Sequence, residues 1–444
     1  MNGATPPRVR LFIAVLLLVY CAKQVMTVVL FPPFTGHDEV AHYEYVRILA
    51  REGRVPTLAA DRLPGRFYEY RSYALQWREL GQWTTPLYTA VHPPLYYAAM
   101  VPVYAAARPL SPLGKHYLLR FAAIPFGIVI VLLAYRLSRI IFPDDGFLAV
   151  TVPVVVAFQP QVSYEAAIIN NDVVAIALFS WLLNLLVLVV RDGLSFARAA
   201  TVGCALGLGL LTKTTTAIAV PLIVGAFWLA GEGGSWWRRL RMLATSGGLA
   251  LMLVAPWYAF MYATYGDLTG LRDLAQIQST LLRTDAGFLQ LLFSGDFAME
   301  RWKETWGEFG WRMIPVEGWL ISTTAVITMV CGLGLAAFTL TRRARKPAVP
   351  SLEPWQRNAL FLLGAACVIA YLAVVQFGTV FLLAQARYFF PAVNAAVLLA
   401  MLGARTLVPE RHHGAAQMAV VVGSLAVNLI VYTSNVVPYF YFRP

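Results

Sequence analysis

Apolar residues come along this chain in long, nearly unbroken runs, a pattern that fits neither the one-sided stripe of a surface helix nor the alternation of a half-buried strand. The runs 11–31, 120–141, 147–167, 172–190, 198–212, 215–230, 242–263, 316–340, 358–381, 388–404 and 416–437 are close to the roughly 20 residues that carry an α-helix through a hydrocarbon core. They predict an all-α polytopic bundle of about 11 transmembrane helices. The stretch 93–107 is apolar too, but it is short and interrupted by Pro102, and is expected to lie in or dip into the outer interface. Two long stretches remain, 32–119 and 264–315. With no internal repeat or soluble domain in view, residues 1–444 read as one membrane domain with a large helical first loop.

Short connections between these runs carry Arg136 and Arg139, Arg191 and Arg198, Arg238, Arg239 and Arg241, Arg342, Arg343, Arg345 and Lys346, and Arg405 and Arg411. If every run crosses once, those connections all fall on one side, which the positive-inside rule makes cytoplasmic. The N-terminus is then cytoplasmic, 32–119 and 264–315 lie outside together with the C-terminal Tyr-Phe-Arg-Pro, and the expected location is the cell (plasma or inner) membrane. Counting 93–107 as a span would invert every later connection. Arg8 and Arg10 precede a first run with no small-residue cleavage pattern before Phe31-Pro32-Pro33, so that run is expected to be retained as a span.

Composition narrows the class further. With 59% hydrophobic and 13% charged residues, the chain is no water-soluble globule. A net charge of +12 could suit nucleic acid, but clusters of arginine between apolar runs are better explained by membrane orientation, and no nucleic-acid partner is expected. Cys21, Cys204, Cys331 and Cys367 lie inside apolar runs without CxxC spacing and read as small core residues.

Candidate chemistry gathers at the outer margin. Gly36-His37-Asp38-Glu39-Val40-Ala41-His42-Tyr43-Glu44-Tyr45 follows the first span directly, and ionisable groups beside a bilayer mark a working site by default. In a helix, Asp38, His42 and Tyr45 would share one face. His92 precedes Pro93-Pro94, Asn170-Asn171-Asp172 sits at the next outer turn, Lys213 at the one after, and Arg387 opens the tenth span. Carboxylates there can act as general base toward a hydroxyl, while Lys213, Arg387 and His92 can neutralise an anionic leaving group such as a lipid phosphate. Each has a plainer alternative. Lys213 and Arg387 would snorkel to the interface, Asn171 and Asp172 would cap the fourth span, and His92 would orient the Pro-Pro turn.

Gly-His-Asp-Glu-Val-Ala-His-Tyr, then Glu-Gly-Arg-Val-Pro, His-Pro-Pro-Leu-Tyr-Tyr, Ile-Asn-Asn-Asp, Leu-Thr-Lys and Ala-Arg-Tyr-Phe-Phe-Pro resemble, in their order and placement, the polytopic C-type (GT-C fold) glycosyltransferases. Protein O-mannosyltransferases and bacterial aminoarabinose transferases belong to that superfamily. The resemblance implies transfer of a sugar from a polyprenyl-phosphate donor to an extracytoplasmic glycan, lipid or protein acceptor, with inversion. It maps the catalytic base to Asp38, with Glu39 as alternative, and substrate contacts to His42, His92, Tyr96, Asn171, Asp172, Lys213, Arg387 and Tyr388. Relatives often carry Lys where His92 stands, so a phosphate contact there depends on protonation. Some relatives hold a divalent cation, Mg or Mn, on acidic residues of the outer loops, for which Glu39 and Asp172 are the matching candidates. The run from Arg301 to Arg312, with Trp302, Trp306, Phe309 and Trp311, is either an interfacial aromatic belt or a platform over the sugar. The competing class is a lipid-linked sugar flippase or transporter. That class would keep ionisable residues mid-span and show inverted repeats; neither is apparent here.

Overall fold

The computed structural model describes residues 7–63, 85–231, 235–343 and 352–442. Arg345 and Lys346 of one basic connection and part of the first long loop lie outside the described residues. Among those described there is no strand; three isolated bridges join loops. The chain is a bundle of apolar helices: α1 (Pro7–Leu30), α2 (Glu39–Glu52), α3 (Leu95–Ala106), α4 (Pro112–Ile141), α5 (Gly146–Phe158), α6 (Pro160–Glu165), α7 (Asp172–Asp192), α8 (Phe196–Thr212), α9 (Ala219–Leu229), α10 (Trp236–Tyr265), α11 (Gly295–Trp306), α12 (Gly318–Arg343), α13 (Pro354–Gly378), α14 (Val393–Leu407) and α15 (His413–Ile430). Their exposed residues include Leu18, Leu251, Leu333 and Phe361, an apolar outer face suited to lipid. This is a multi-pass membrane protein.

Among the described residues eight helices are long and apolar enough to span. Three of the runs read as spans instead form shorter apolar helices at 146–158, 196–212 and 214–229, and the sequence carries the reason. Gln159-Pro160 breaks the third run into α5 and α6, because proline offers no N–H and restricts the residue before it. Around Lys213 the chain leaves helix for a 3-10 turn, Thr214–Ile218. Residues 95–106 are a short helix with Pro102 inside it.

The α5–α6 break frees carbonyls in the interior, and polar side chains from distant helices meet them. Lys23 of α1 donates to the Ala157 carbonyl and to Ser163 Oγ, Asn428 of α15 donates to the Phe158 carbonyl, and Ser163 Oγ donates to the Gln159 carbonyl at 2.8 Å. A lysine inside the first span is thus a helix-break cap. Elsewhere helices approach through small residues. A methyl added at Gly403 of α14 would sit 1.9 Å from the Cys331 carbonyl oxygen of α12, and one at Gly203 of α8 would sit 2.3 Å from the Ser246 carbonyl oxygen of α10. The four cysteines are free.

Candidate active site

The first loop is fastened to the bundle by an ion pair of Glu39, a residue that the sequence assigns to chemistry, with Arg120. Arg120, fully buried in α4, uses all five of its N–H donors. Two reach Glu39 Oε1 and Oε2 at 2.6 Å each, and the others meet the carbonyls of Val28, Phe31 and Pro32 at the end of α1. Glu39 also accepts from the Gly36 and Ile169 backbone N–H groups at 3.1 Å, and His116 Nε2 lies 3.1 Å from it. Burial pushes the Glu39 carboxyl up, but Arg120 and His116 together hold it well below the usual carboxylate range. As a base or a metal ligand Glu39 is therefore misplaced, since its oxygens are fully engaged and it does not line the cleft.

Asp38, one residue earlier, faces the other way. It holds a left-handed backbone (φ 58°) at the N-terminus of α2, a conformation that aspartate tolerates and that costs a little strain. The turn aims its carboxylate into a cleft of about 170 Å³ lined by His42, His92, Asp172, Lys213, Arg387 and Tyr388, with Tyr88 and Asn171 at its wall. Arg387 Nη2 donates to Asp38 Oδ2 at 2.8 Å while its Nη1 lies 3.5 Å from Asp172 Oδ2, and Lys213 Nζ donates to Asp172 Oδ1. Two cations and two carboxylates from four distant parts of the chain form one buried, neutral cluster. Burial would raise Asp38, but Arg387 holds it well below the usual range. Burial lowers Lys213, against the pull of Asp172. Neither cation is a snorkelling surface group.

Asn170, not Asn171, caps α7: its Oδ1 accepts from Asp172 N at 2.7 Å and Val173 N at 3.2 Å. Asn171 instead donates to the Thr212 carbonyl at 3.0 Å, joining α7 to the turn that carries Lys213. His42 and His92 both line the cleft, and one hydroxyl ties them: Tyr97 O lies 2.8 Å from His42 Nδ1 and 3.1 Å from His92 Nδ1. Burial pushes His42 well below its ordinary pKa and, with Lys213 beside it, takes His92 to about 4. Both imidazoles are neutral at neutral pH, which corrects the expectation of His92 as a cationic phosphate contact. Tyr96, expected as a substrate contact, is wholly buried behind the cleft. Its neighbour Tyr97, equally buried, is the one that bonds the two histidines, and its ring stacks on Tyr45 with centroids 3.6 Å apart. In the adjacent-tyrosine motif nothing distinguishes the two.

Two further residues escaped the sequence reading. His37, Glu165 and Asp172 bring ligand atoms within 4.8 Å of one another, with His37 Nε2 3.1 Å from Glu165 Oε2. Glu165 lies inside what reads as one apolar run, 147–167, and gains meaning only from His37. Imidazole plus two carboxylates suits a divalent cation of the zinc or manganese kind better than Mg. Asp172 is shared with Lys213 and Arg387, so the set fits a metal only if those contacts yield.

The run from Arg301 to Arg312 has a third role besides the two expected. Glu304 of α11 accepts from the Ala386 backbone N–H at 2.8 Å and is gripped by Arg301 and Arg312. It thereby anchors the 3-10 turn Ala386–Ala392 that presents Arg387. Burial raises the Glu304 carboxyl against those arginines. On the far side of the same turn, Phe389 and Phe390 join Phe158, Trp302, Trp306 and Ile327 in an apolar groove of about 430 Å³.

The family model of dolichyl-phosphate-mannose-protein mannosyltransferases matches residues 114–260. No curated protein matches the sequence. Among solved structures the chain is similar to the oligosaccharyltransferase of Archaeoglobus fulgidus in complex with zinc and sulfate, with TM-score 0.55 and 14% identity over 94% of this chain and 52% of that one. It is also similar to ArnT from Cupriavidus metallidurans bound to undecaprenyl phosphate, with TM-score 0.51 and 16% identity over 99% and 74%. A third is the arabinofuranosyltransferase AftD from Mycobacteria, with TM-score 0.53 and 16% identity over 95% and 27%. The chain thus spans about half the length of the archaeal enzyme. Its fold is that of the membrane C-type glycosyltransferases.

Proposed function

We propose that this chain, built on the C-type glycosyltransferase fold, moves a sugar from a polyprenyl-phosphate donor to a hydroxyl of an extracytoplasmic envelope acceptor. The observation that carries the reading is the juxtaposition of Asp38 with Arg387 and Lys213 in one buried cleft. A base and an anion-binding pair are what such a transfer needs. Asp38 takes the proton of the acceptor hydroxyl, and the hydroxyl oxygen attacks the anomeric carbon. The carbon–oxygen bond to phosphate breaks, and its electron pair leaves with the lipid phosphate toward Arg387 and Lys213. A single in-line displacement of this kind inverts the anomeric centre.

Because both cations are already paired with carboxylates, an incoming phosphate must compete for them. Drawing Arg387 from Asp38 removes what holds Asp38 acidic and makes it a better base only once donor is bound. The apolar groove behind the Ala386–Ala392 turn offers the lipid tail a path within the membrane. His37, Glu165 and Asp172 are the residues that would hold a divalent cation; bound there, it would add positive charge beside the donor phosphate. A flippase is less favoured, because a carboxylate aimed by a strained turn beside a cation pair is a catalytic arrangement rather than a transit path.

In a purified assay with undecaprenyl-phosphate-linked sugars, Asp38→Asn should keep donor binding and lower turnover by roughly 10²–10⁴-fold, the usual share of positioned proton transfer. Near-normal turnover in that variant would sink the assignment.

A further inference from the structure

A tyrosine hydroxyl owns one hydrogen, yet Tyr97 faces two imidazole nitrogens, at 2.8 Å in His42 and 3.1 Å in His92. It can donate to one Nδ1 and accept from the other's Nδ1–H. If both rings carried Nδ1–H, the buried hydroxyl hydrogen would have no acceptor, and if neither did, one lone pair would face another. We propose that the Tyr97 hydroxyl holds His42 and His92 in opposite tautomers, so that together they form a subsite for a sugar hydroxyl in the cleft.

The direction follows from the geometry. The shorter contact is the O–H···N bond, so Tyr97 donates to His42 and accepts from His92. His42 then carries its proton on Nε2, and His92 presents a bare Nε2.

Among the described residues neither Nε2 has a hydrogen-bond partner, and both rings line the cleft, their centroids 5.6 Å apart. One donor and one acceptor on neighbouring rings suit a sugar's hydroxyls, since each hydroxyl both gives and takes a hydrogen bond. A phosphate gives none and would leave the His92 nitrogen facing an anion. Tyr97 is thus a positioning residue, rigid because its ring is stacked on Tyr45, and the Tyr45 hydroxyl in turn donates to the His92 carbonyl at 3.3 Å.

The tautomers can be read directly in the full-length protein by ¹⁵N-histidine NMR at neutral pH, with His42→Asn and His92→Asn assigning the signals. The expected spectrum has His42 protonated on Nε2 and His92 on Nδ1; the same tautomer at both would overturn the proposal. The identity of the ligand rests on the transferase reading and is tested by binding. Undecaprenyl phosphate alone is compared with its mannosyl, glucosyl and arabinosyl forms, in wild type and in Tyr97→Phe, with Tyr45→Phe as the packing control. For a sugar that wild type prefers over the bare lipid, Tyr97→Phe should reduce that preference about 3–10-fold, the worth of one or two hydrogen bonds, and leave the bare lipid phosphate unchanged. Equal weakening of both, or no preference for any sugar in wild type, would remove the hydroxyl subsite. Failure of the bare lipid phosphate to bind wild type would instead count against the transferase reading, while the NMR result still decides the tautomers.

Discussion

Asp38 and Glu39 are adjacent, chemically alike and opposite in role, and one backbone torsion separates them. The left-handed turn at Asp38 sends its carboxylate to the cleft while Glu39, in the first turn of α2, points inward to Arg120. From sequence alone the two could be ranked only by resemblance, and Glu39→Gln would be expected to cost less activity than Asp38→Asn. The structure changes what Glu39→Gln should do. Removing the charge leaves Arg120 uncompensated in a fully buried site, which typically costs about 3–5 kcal/mol. The expected result is a smaller folded, monodisperse peak on size exclusion, where Asp38→Asn elutes as wild type. The pH dependence has a definite sign. Glu39 is depressed in the folded state, so its contribution is complete above its ordinary value of 4.5 and is lost only as pH falls toward the depressed one. Wild type and Glu39→Gln should therefore differ in thermal stability throughout the neutral range and converge only in strong acid. Activity should be similarly flat. With Asp38 depressed and His92 titrating near 4, kcat/KM for the free enzyme should show no inflection between about pH 5 and 8. A limb centred near the ordinary histidine pKa would contradict the neutral pair.

At the scale of elements, the sequence was legible wherever hydrophobicity alone decides, and less so where a polar residue decides. Every apolar run became helix, because a backbone in lipid must satisfy itself. What the runs concealed were their interruptions: Pro160 and the Lys213 turn cut what reads as continuous span. Four outer-margin residues, Asp38, Asp172, Lys213 and Arg387, were visible as polar marks at run ends, since ionisable groups there are rare. Glu165, Tyr97 and Arg120 were not, for each needs a partner distant in sequence to acquire meaning: Glu165 needs His37, Tyr97 needs two histidines, Arg120 needs Glu39. Lys23 is the clearest such case, a charge inside the first span whose partners are carbonyls freed by a helix break in α5–α6. Replacing it with Leu should unpair those buried acceptors at about 1–3 kcal/mol each and lower the melting temperature in detergent. Asn428→Leu, which strips the neighbouring Phe158 carbonyl, should have an effect of the same sign. A Lys23→Leu protein of unchanged stability would mean that the break is satisfied in some other way.

Across the whole molecule, contacts fix which helix ends lie together. Asp38 follows α1, Asp172 opens α7, Lys213 follows α8 and Arg387 precedes α14, and their ion pairs put these four ends on one face of the bundle. At the opposite ends of the helices, Arg405 pairs with Asp145, Gln356 donates to the Ile141 carbonyl at 2.7 Å and Arg238 to the Leu194 carbonyl at 2.8 Å. That second face also carries Arg136, Arg139, Arg191, Arg198, Arg239, Arg241 and Arg411. The bundle is therefore polarised, with a balanced charge cluster at one end and an excess of arginine at the other, an asymmetry that the positive-inside rule turns into an orientation. The basic face is expected in the cytoplasm and the cleft outside, where a lipid-linked sugar and an envelope acceptor meet. Arg51 at the end of α2 and Arg411 before α15 are both exposed. With Cys21, Cys204, Cys331 and Cys367 replaced by Ala, Arg51→Cys should react with a membrane-impermeant maleimide in intact cells, and Arg411→Cys only after permeabilisation. The reverse pattern would turn the cleft toward the cytoplasm, where the acceptor would have to be a cytoplasmic molecule and the envelope reading would fall, whatever the chemistry of Asp38.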